Sequence, residues 1–192
     1  MTATLTPTRQ LDGRSLPTPG SYHLDPSHTE VGFKVRHLMV SKIRGRFADV
    51  SGIVTIADDP LESSVEATIG VASLDTRDEG RDEHLRSADF FDVENHATIT
   101  FRSTGVTHAG GEHYAVAGNL TIRGVTQPVT LDATFEGGLV DPWGNPRIGF
   151  SATAEVDRDD FNVSWNQALE AGGVLVGKTV TIEIEAEAVS QS

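Results

Sequence analysis

His28-Thr29-Glu30-Val31-Gly32-Phe33-Lys34-Val35-Arg36-His37-Leu38-Met39 is the stretch that decides the fold. Taken with a period of two, Val31, Phe33, Val35, His37 and Met39 fall in one row. Glu30, Gly32, Lys34, Arg36 and Leu38 fall in the other. Strand side chains point alternately to opposite faces, so the stretch predicts a half-buried strand with an apolar interior row. His37 is the polar member of that row. Its ring needs a partner, either a core neighbour or the polar head of a ligand.

Upstream, Ser21 to Leu24 reads as a short strand and Asp25-Pro26-Ser27 as a turn. Residues 1–20 are rich in Thr and Pro, lack an apolar segment, and are read as a flexible tail rather than a secretory signal. Residues 21–192 then form a single domain.

Downstream, Ser41 to Gly45 reads as a break, and Arg46 to Ile56 as a strand bent at Gly52. Val65, Ala67, Ile69 and Val71 alternate with Glu66, Thr68, Gly70 and Ala72, and a slip of one residue would exchange the two rows. Thr76-Arg77-Asp78-Glu79 matches a capping box, with Asp75 as an alternative cap, and predicts one short polar helix up to Ser87. Leu85 is its large apolar residue. Phe90 and Phe91 follow in a polar loop and must be buried, either against the sheet or as a lip at a cavity mouth.

Strand rows then continue to the end of the chain. Ile99 and Phe101 begin them, followed by Tyr114, Val116, Gly118, Leu120 and Ile122, then Val129, Leu131, Ala133 and Phe135. Gly137-Gly138 and Pro142 to Pro146 read as turns. Ile148, Phe150, Ala152, Ala154 and Val156 form the next row, and Val180, Ile182, Ile184, Ala186 and Ala188 the last, against Thr181, Glu183, Glu185 and Glu187. The count is about eight long antiparallel strands with one helical insertion, an all-β barrel or sandwich.

The interior rows carry many small residues, namely Ala67, Gly118, Ala133, Ala152, Ala154, Ala186 and Ala188. An eight-stranded barrel is just wide enough to be filled by its side chains or to hold one slim ligand. Small residues leave an apolar void in a hollow barrel, or mark the narrow end of a tapered one.

Composition excludes several classes. The formal net charge of −13 argues against sequence-independent nucleic-acid binding and against stable docking on anionic lipid. With no cysteine, disulfide and thiolate chemistry are absent, and the cytoplasm is the simplest expected compartment. No phosphate loop, zinc-protease helix or nucleophile elbow is present. The seven histidines do not fall at metal-ligand spacing. Asp157-Arg158-Asp159-Asp160 lacks the Gly and distal Glu of a calcium loop and reads as a turn with a local Arg–carboxylate pair. Trp165 offers an apolar body and a donor, suited to packing or to a cavity rim.

These residues together resemble the YceI-like family, lipocalin-like barrels that bind polyisoprenoid lipids. The likeness covers about residues 21–190. It is carried by Asp25-Pro26-Ser27-His28 through His37, Ser41 and Gly45-Arg46-Phe47; by Arg81, His84-Leu85 and Asp89-Phe90-Phe91-Asp92-Val93; by Gly118 to Thr126; and by Asp157-Arg158, Asp160 and Phe161. The resemblance implies an extended antiparallel eight-stranded barrel, often a homodimer, threaded by a long-chain isoprenoid or fatty lipid, with no catalytic residue and no cofactor. The residues assigned to the ligand are Val31, Phe33, Val35, His37, Met39, Ala67, Ile69, Leu85, Phe90, Phe91, Ile99, Phe101, Phe150, Ala152, Trp165 and Ile182. At ~0.3 kcal/mol per heavy atom, a chain of ~40 carbons would bind with ~12 kcal/mol, about nanomolar.

Three functions compete. The first is a non-catalytic carrier or reservoir for a long-chain amphiphile: an isoprenoid, an isoprenoid quinone, or a fatty acid or amide. The second is an enzyme on a hydrophobic substrate, with His37 or the Asp157–Asp160 loop as acid or base. The third is an acidic stress or interaction protein with a filled barrel.

Overall fold

The last strand, β13 (Val176–Ser190), closes the sheet on itself. Its apolar row faces inward and its Thr/Glu row outward, as the period-two pattern requires. One edge pairs with β12 (Pro146–Asp157) from Arg147↔Val189 to Asp157↔Thr179. The other edge takes two strands in tandem, β3 (Gly20–Leu24) and β4 (Glu30–His37). From β3 the ring runs through β6 (Val50–Ile56), β7 (Ser64–Gly70), β9 (Thr98–Gly110), β10 (His113–Ile122) and β11 (Val125–Val140) back to β12. That is a closed eight-stranded antiparallel barrel, as the pattern predicts. The computed structural model describes residues 6–170 and 172–190.

Residues 1–5 of the expected tail lie outside the described residues, but the rest of the tail is structured. Strands β1 (Thr8–Leu11) and β2 (Arg14–Pro17) form a hairpin, and Leu16 is buried. The sequence carries the signal for it. Asp12-Gly13 between two short runs is the dipeptide of a type I′ turn, and both residues have positive φ (52° and 77°).

Ser41 to Gly45 does not break the sheet. It belongs to β5 (Ser41–Phe47), which pairs with β4 from Val31↔Phe47 to His37↔Ser41. The break falls instead at Ala48-Asp49, between β5 and β6. The Ser73 hydroxyl accepts from both backbone amides there, at 3.1 and 2.9 Å. Gly45 is required because the Phe33 ring lies flat across it, where any Cβ would collide with the ring. The same holds for Gly118 beneath the Phe101 ring. These two glycines are therefore filled by aromatics, so they do not widen the barrel. Gly137 and Gly138 also do not make a turn. They lie within β11 just past a bulge at Glu136 and pair with Gly149 and Ile148 of β12.

The helix α1 (Glu79–Arg86) is capped by Asp78, whose carboxylate accepts from the Arg81 amide at 2.9 Å. Thr76 does not cap it. Its amide and hydroxyl both donate to Asp82, at 2.9 and 2.5 Å, inside the protein. Arg81 donates to Thr76, and Arg86 donates to the carbonyls of Ala72 and Leu74, so α1 is lashed to the short strand β8 (Leu74–Asp75). The helix thereby sets the Phe90–Phe91 loop against the barrel.

Candidate functional site: an apolar barrel cavity

The barrel is hollow. A cavity of about 320 Å³ runs between the sheet walls. From Val180 to Ala186, β13 lines it with four residues of one row, which spans roughly 20 Å at ~3.3 Å per residue. Val180, Ile182 and Ile184 face inward yet stay only half-buried, because they look onto empty space. Each water-sized atom needs about 10–15 Å³ of such space, so the void admits roughly twenty to thirty atoms. At ~0.3 kcal/mol per atom, roughly twenty to thirty buried atoms supply ~6–9 kcal/mol, against ~12 kcal/mol for a fully buried chain of ~40 carbons.

Thirteen of the sixteen residues assigned to the ligand line this cavity. On β4, β7 and β9 these are Val31, Phe33, Val35, Ala67, Ile69, Ile99 and Phe101. Phe150 and Ala152 on β12, and Ile182 on β13, continue the wall. Leu85, Phe90 and Phe91 close it on the α1 side. Phe90 is also buried in the main apolar cluster, so packing and lining hold together for this loop. Of the small residues, Ala67, Ala133, Ala152 and Ala186 face the void, while Ala154 and Ala188 are packed away from it.

His37, Met39 and Trp165 are not brought to the cavity. His37 is the last residue of β4, and the chain then turns through Leu38 and Met39, both with positive φ (51° and 61°). The turn ends the alternation, so the interior row leaves the barrel and Met39 is 54% exposed. Trp165 packs outside the wall, with its ring centroid 4.8 Å from that of His84 and 5.3 Å from that of Phe90.

Sequence reasoning missed the two ends of the cavity. At one end Leu16 and Pro17 of the β1–β2 hairpin line it. At the other end lie Phe161, Val163 and Arg158. Arg158 is buried, and among the described residues it pairs with no carboxylate. Its guanidinium donates to the carbonyls of Val163 (2.5 Å), Trp165 (2.9 Å), Gly177 (2.9 Å) and Val176 (3.4 Å). Burial lowers its pKa, against the pull of Asp159 and Asp157. Arginine stays charged regardless, but its N–H groups are committed to the loop. Asp157 caps the turn through the Asp159 amide, and Asp159 pairs with Lys178 at 2.8 Å. Arg123 fixes the neighbouring segment by donating to the carbonyls of Ala88, Phe90 and Asn162.

The Tyr114 ring lines the cavity, while its hydroxyl is buried within the wall with no hydrogen-bond partner among the described residues. Burial raises its pKa, with Arg14 opposing and Glu112 assisting, so the phenol remains a donor at neutral pH.

Outside the cavity, Arg147 donates to Asp25 at 2.6 Å, Asp141 at 2.8 Å and Glu187 at 3.2 Å. This ties the β3–β4 turn, the β11–β12 turn and β13 together. Hydrogen bonding from Arg147 holds the Asp25 carboxyl down at about 2. Burial pushes Asp141 up, but Arg147 and the Asn145 and Trp143 amides outweigh it and hold the carboxyl well below the usual range. Asp25, His28 and Glu187 are close enough to share a cation, yet the guanidinium of Arg147 already lies against both carboxylates.

A closed eight-stranded barrel with a helical insertion and an apolar void is a barrel of lipocalin-like form. The profile of the YceI-like domain family matches residues 22–188, and the chain belongs to that family. A UPF0312 protein of Serratia proteamaculans is 45% identical over 138 residues, covering 71% of each chain. One of Staphylococcus aureus is 36% identical over 170 residues, covering 87% of this chain and 96% of its own. Among solved structures, BcnA of Burkholderia cenocepacia superposes with a TM-score of 0.75 at 25% identity, covering 85% of this chain and 98% of its own. A polyisoprenoid-binding domain from Saccharophagus degradans shares the fold with a TM-score of 0.69 at 13% identity, covering 91% and 100%.

Proposed function

We propose that this protein is a non-catalytic carrier or reservoir for a long-chain amphiphilic lipid of the isoprenoid or isoprenoid-quinone class. The observation that carries the reading is the void itself: long, narrow, walled by aliphatic and aromatic side chains, and able to take roughly twenty to thirty atoms. Water gains few partners there, whereas a hydrocarbon chain gains dispersion contacts along its length. The Saccharophagus degradans domain, named for polyisoprenoid binding, shares the barrel alone, and its ligand comes to this chain as part of the proposal.

The polar groups bear on the head. A fatty carboxylate or a prenyl phosphate in the void would need a free cation. Arg158, the guanidinium in the wall, is already engaged by four carbonyl oxygens. With no free cation on the wall among the described residues, a neutral head such as a quinone or alcohol oxygen suits it better than an anionic one.

The test is solvent extraction of natively purified protein followed by mass spectrometry. The expected result is a neutral isoprenoid released near one per chain on denaturation. A fatty acid in its place would overturn the head-group assignment. No lipid in the extract, together with no binding of long-chain quinones on titration, would overturn the carrier reading.

A further inference from the structure

Charge is unevenly placed on this chain. Residues 31–48 hold Lys34, Arg36, Lys42, Arg44 and Arg46 and no carboxylate, against a net charge of −13 for the whole. The register of the β4–β5 hairpin sets Lys34 opposite Arg44 and Arg36 opposite Lys42. Residues directly opposite share a face, so the outer face of the hairpin is cationic. Like charges so placed weaken a sheet unless something answers them. Lys34 pairs with Glu183, and Arg46 lies 3.5 Å from Glu30 and 3.3 Å from Asp75. Among the described residues, Arg36, Lys42 and Arg44 pair with no carboxylate.

The tip of the same hairpin is apolar and exposed. Leu38, Met39 and Val40 are 41%, 54% and 84% exposed. Turns with positive φ ordinarily use Gly, Asn or Asp. Here Leu38 and Met39 occupy them despite the steric cost. The neighbouring loop adds exposed Val174, and the Leu38 amide donates to the Leu175 carbonyl at 2.9 Å. Val35 and Val176 line the cavity just short of this tip, so the tip stands at the Arg158 end of the void.

Three exposed consecutive apolar residues flanked by unanswered cations match the chemistry of one surface. We propose that the β4–β5 hairpin docks on anionic phospholipid, with Leu38, Met39 and Val40 entering the headgroup layer and Arg36, Lys42 and Arg44 resting on it. The overall negative charge does not forbid this. Screening confines electrostatics to about 8–10 Å at physiological salt, so the charges nearest the bilayer decide. Carboxylates on the elements at that end include Glu170 on the adjoining loop, Asp157, Asp160 and Asp159, the last paired with Lys178, and Asp89, which His84 holds beside Trp165. Guarding of a free sheet edge would explain Lys42 and Arg44 on β5, but not Arg36 on β4, which is paired on both sides, nor the apolar tip. A second copy seated symmetrically on this face would set cation against cation. The inference concerns the surface and holds whatever the cavity carries.

The experiment is vesicle flotation of the full chain with phosphatidylcholine vesicles, with and without phosphatidylglycerol. Binding is expected to the anionic vesicles alone, and to fall as salt rises. Each Lys or Arg near such a surface contributes about fivefold, so the R36Q/K42Q/R44Q variant should bind about 100-fold more weakly. M39S/V40S should also weaken binding while keeping the salt dependence. Parent protein that fails to float with anionic vesicles at low salt overturns the proposal without reference to any variant. So does a charge variant that floats like the parent, or sedimentation showing a dimer that M39S/V40S dissociates.

Discussion

Ala133 and Ala152 face each other across β11 and β12 and both line the void. Replacing both with Phe adds twelve carbons at one level of the tube. At about 10–15 Å³ each these occupy about 120–180 Å³, close to half of the 320 Å³ present. A lipid tail displaced from twelve positions at ~0.3 kcal/mol per atom loses ~3.6 kcal/mol, about 400-fold in affinity. Stability should move the other way. In a filled core each enlargement costs about 1–3 kcal/mol through strain. Here each new ring enters empty space, and burying it is worth about 1.5–3 kcal/mol. The assay is paired: titration with a fluorescent long-chain probe, and urea unfolding of lipid-free protein. The expected result is lost binding with an unfolding midpoint equal to or above that of the parent. A midpoint lowered as in a close-packed core would show that the tube is not open, and unchanged binding would show that the tube is not the site.

Tyr114→Phe should stabilise the lipid-free protein by up to about 1 kcal/mol in urea unfolding, since a buried unpaired hydroxyl is removed; a clear loss of stability would mean that the hydroxyl has a partner. Leu16→Ala should cost about 2–3 kcal/mol in urea unfolding, the low end for a buried leucine because the site already borders a void; no change would mean that the β1–β2 hairpin does not close the barrel. Asp25, held at about 2, sits below its unfolded value of about 3.9. Its contribution is therefore complete above about pH 4 and lost as pH falls toward 2. Thermal midpoints should drop across that window, and Arg147→Met should start lower at neutral pH and show a shallower drop; an identical acid profile in the variant would refute the Arg147 linkage.

What the chain reveals before folding is the part governed by period two. The rows of β12 and β13 are long, clean and one-sided, so their inward faces could be read directly, and most of the lining residues with them. Where a residue answers to a neighbour in space, the pattern failed. Gly45 looks like a breaker in the sequence, yet it is the seat of the Phe33 ring. The rest of its row, Ile43 and Phe47, is too short to speak alone. Ser73 splits β5 from β6 across some twenty-five residues of chain, a contact that no local pattern reports. The arginines of the family motifs were legible as motif, but their partners were not. Arg81, Arg123 and Arg158 spend themselves on carbonyls and side chains of loops, and among the described residues Arg158 takes no carboxylate where the local sequence suggested one. His37 and Met39 were misplaced for a single reason, the turn that begins one residue after the strand.

The tandem seating of β3 and β4 on one edge of β13 bears on how a lipid of the proposed kind would enter. Among the described residues, the far side of β5 is laddered to β8 alone, through two register pairs, Arg46↔Asp75 and Phe47↔Leu74. The β4–β5 hairpin is thus held by the β4–β13 ladder on one flank and by two pairs on the other, whereas each long strand of the ring is laddered on both sides. That flank is where a chain longer than the tube could be laid in from the side rather than fed end-on.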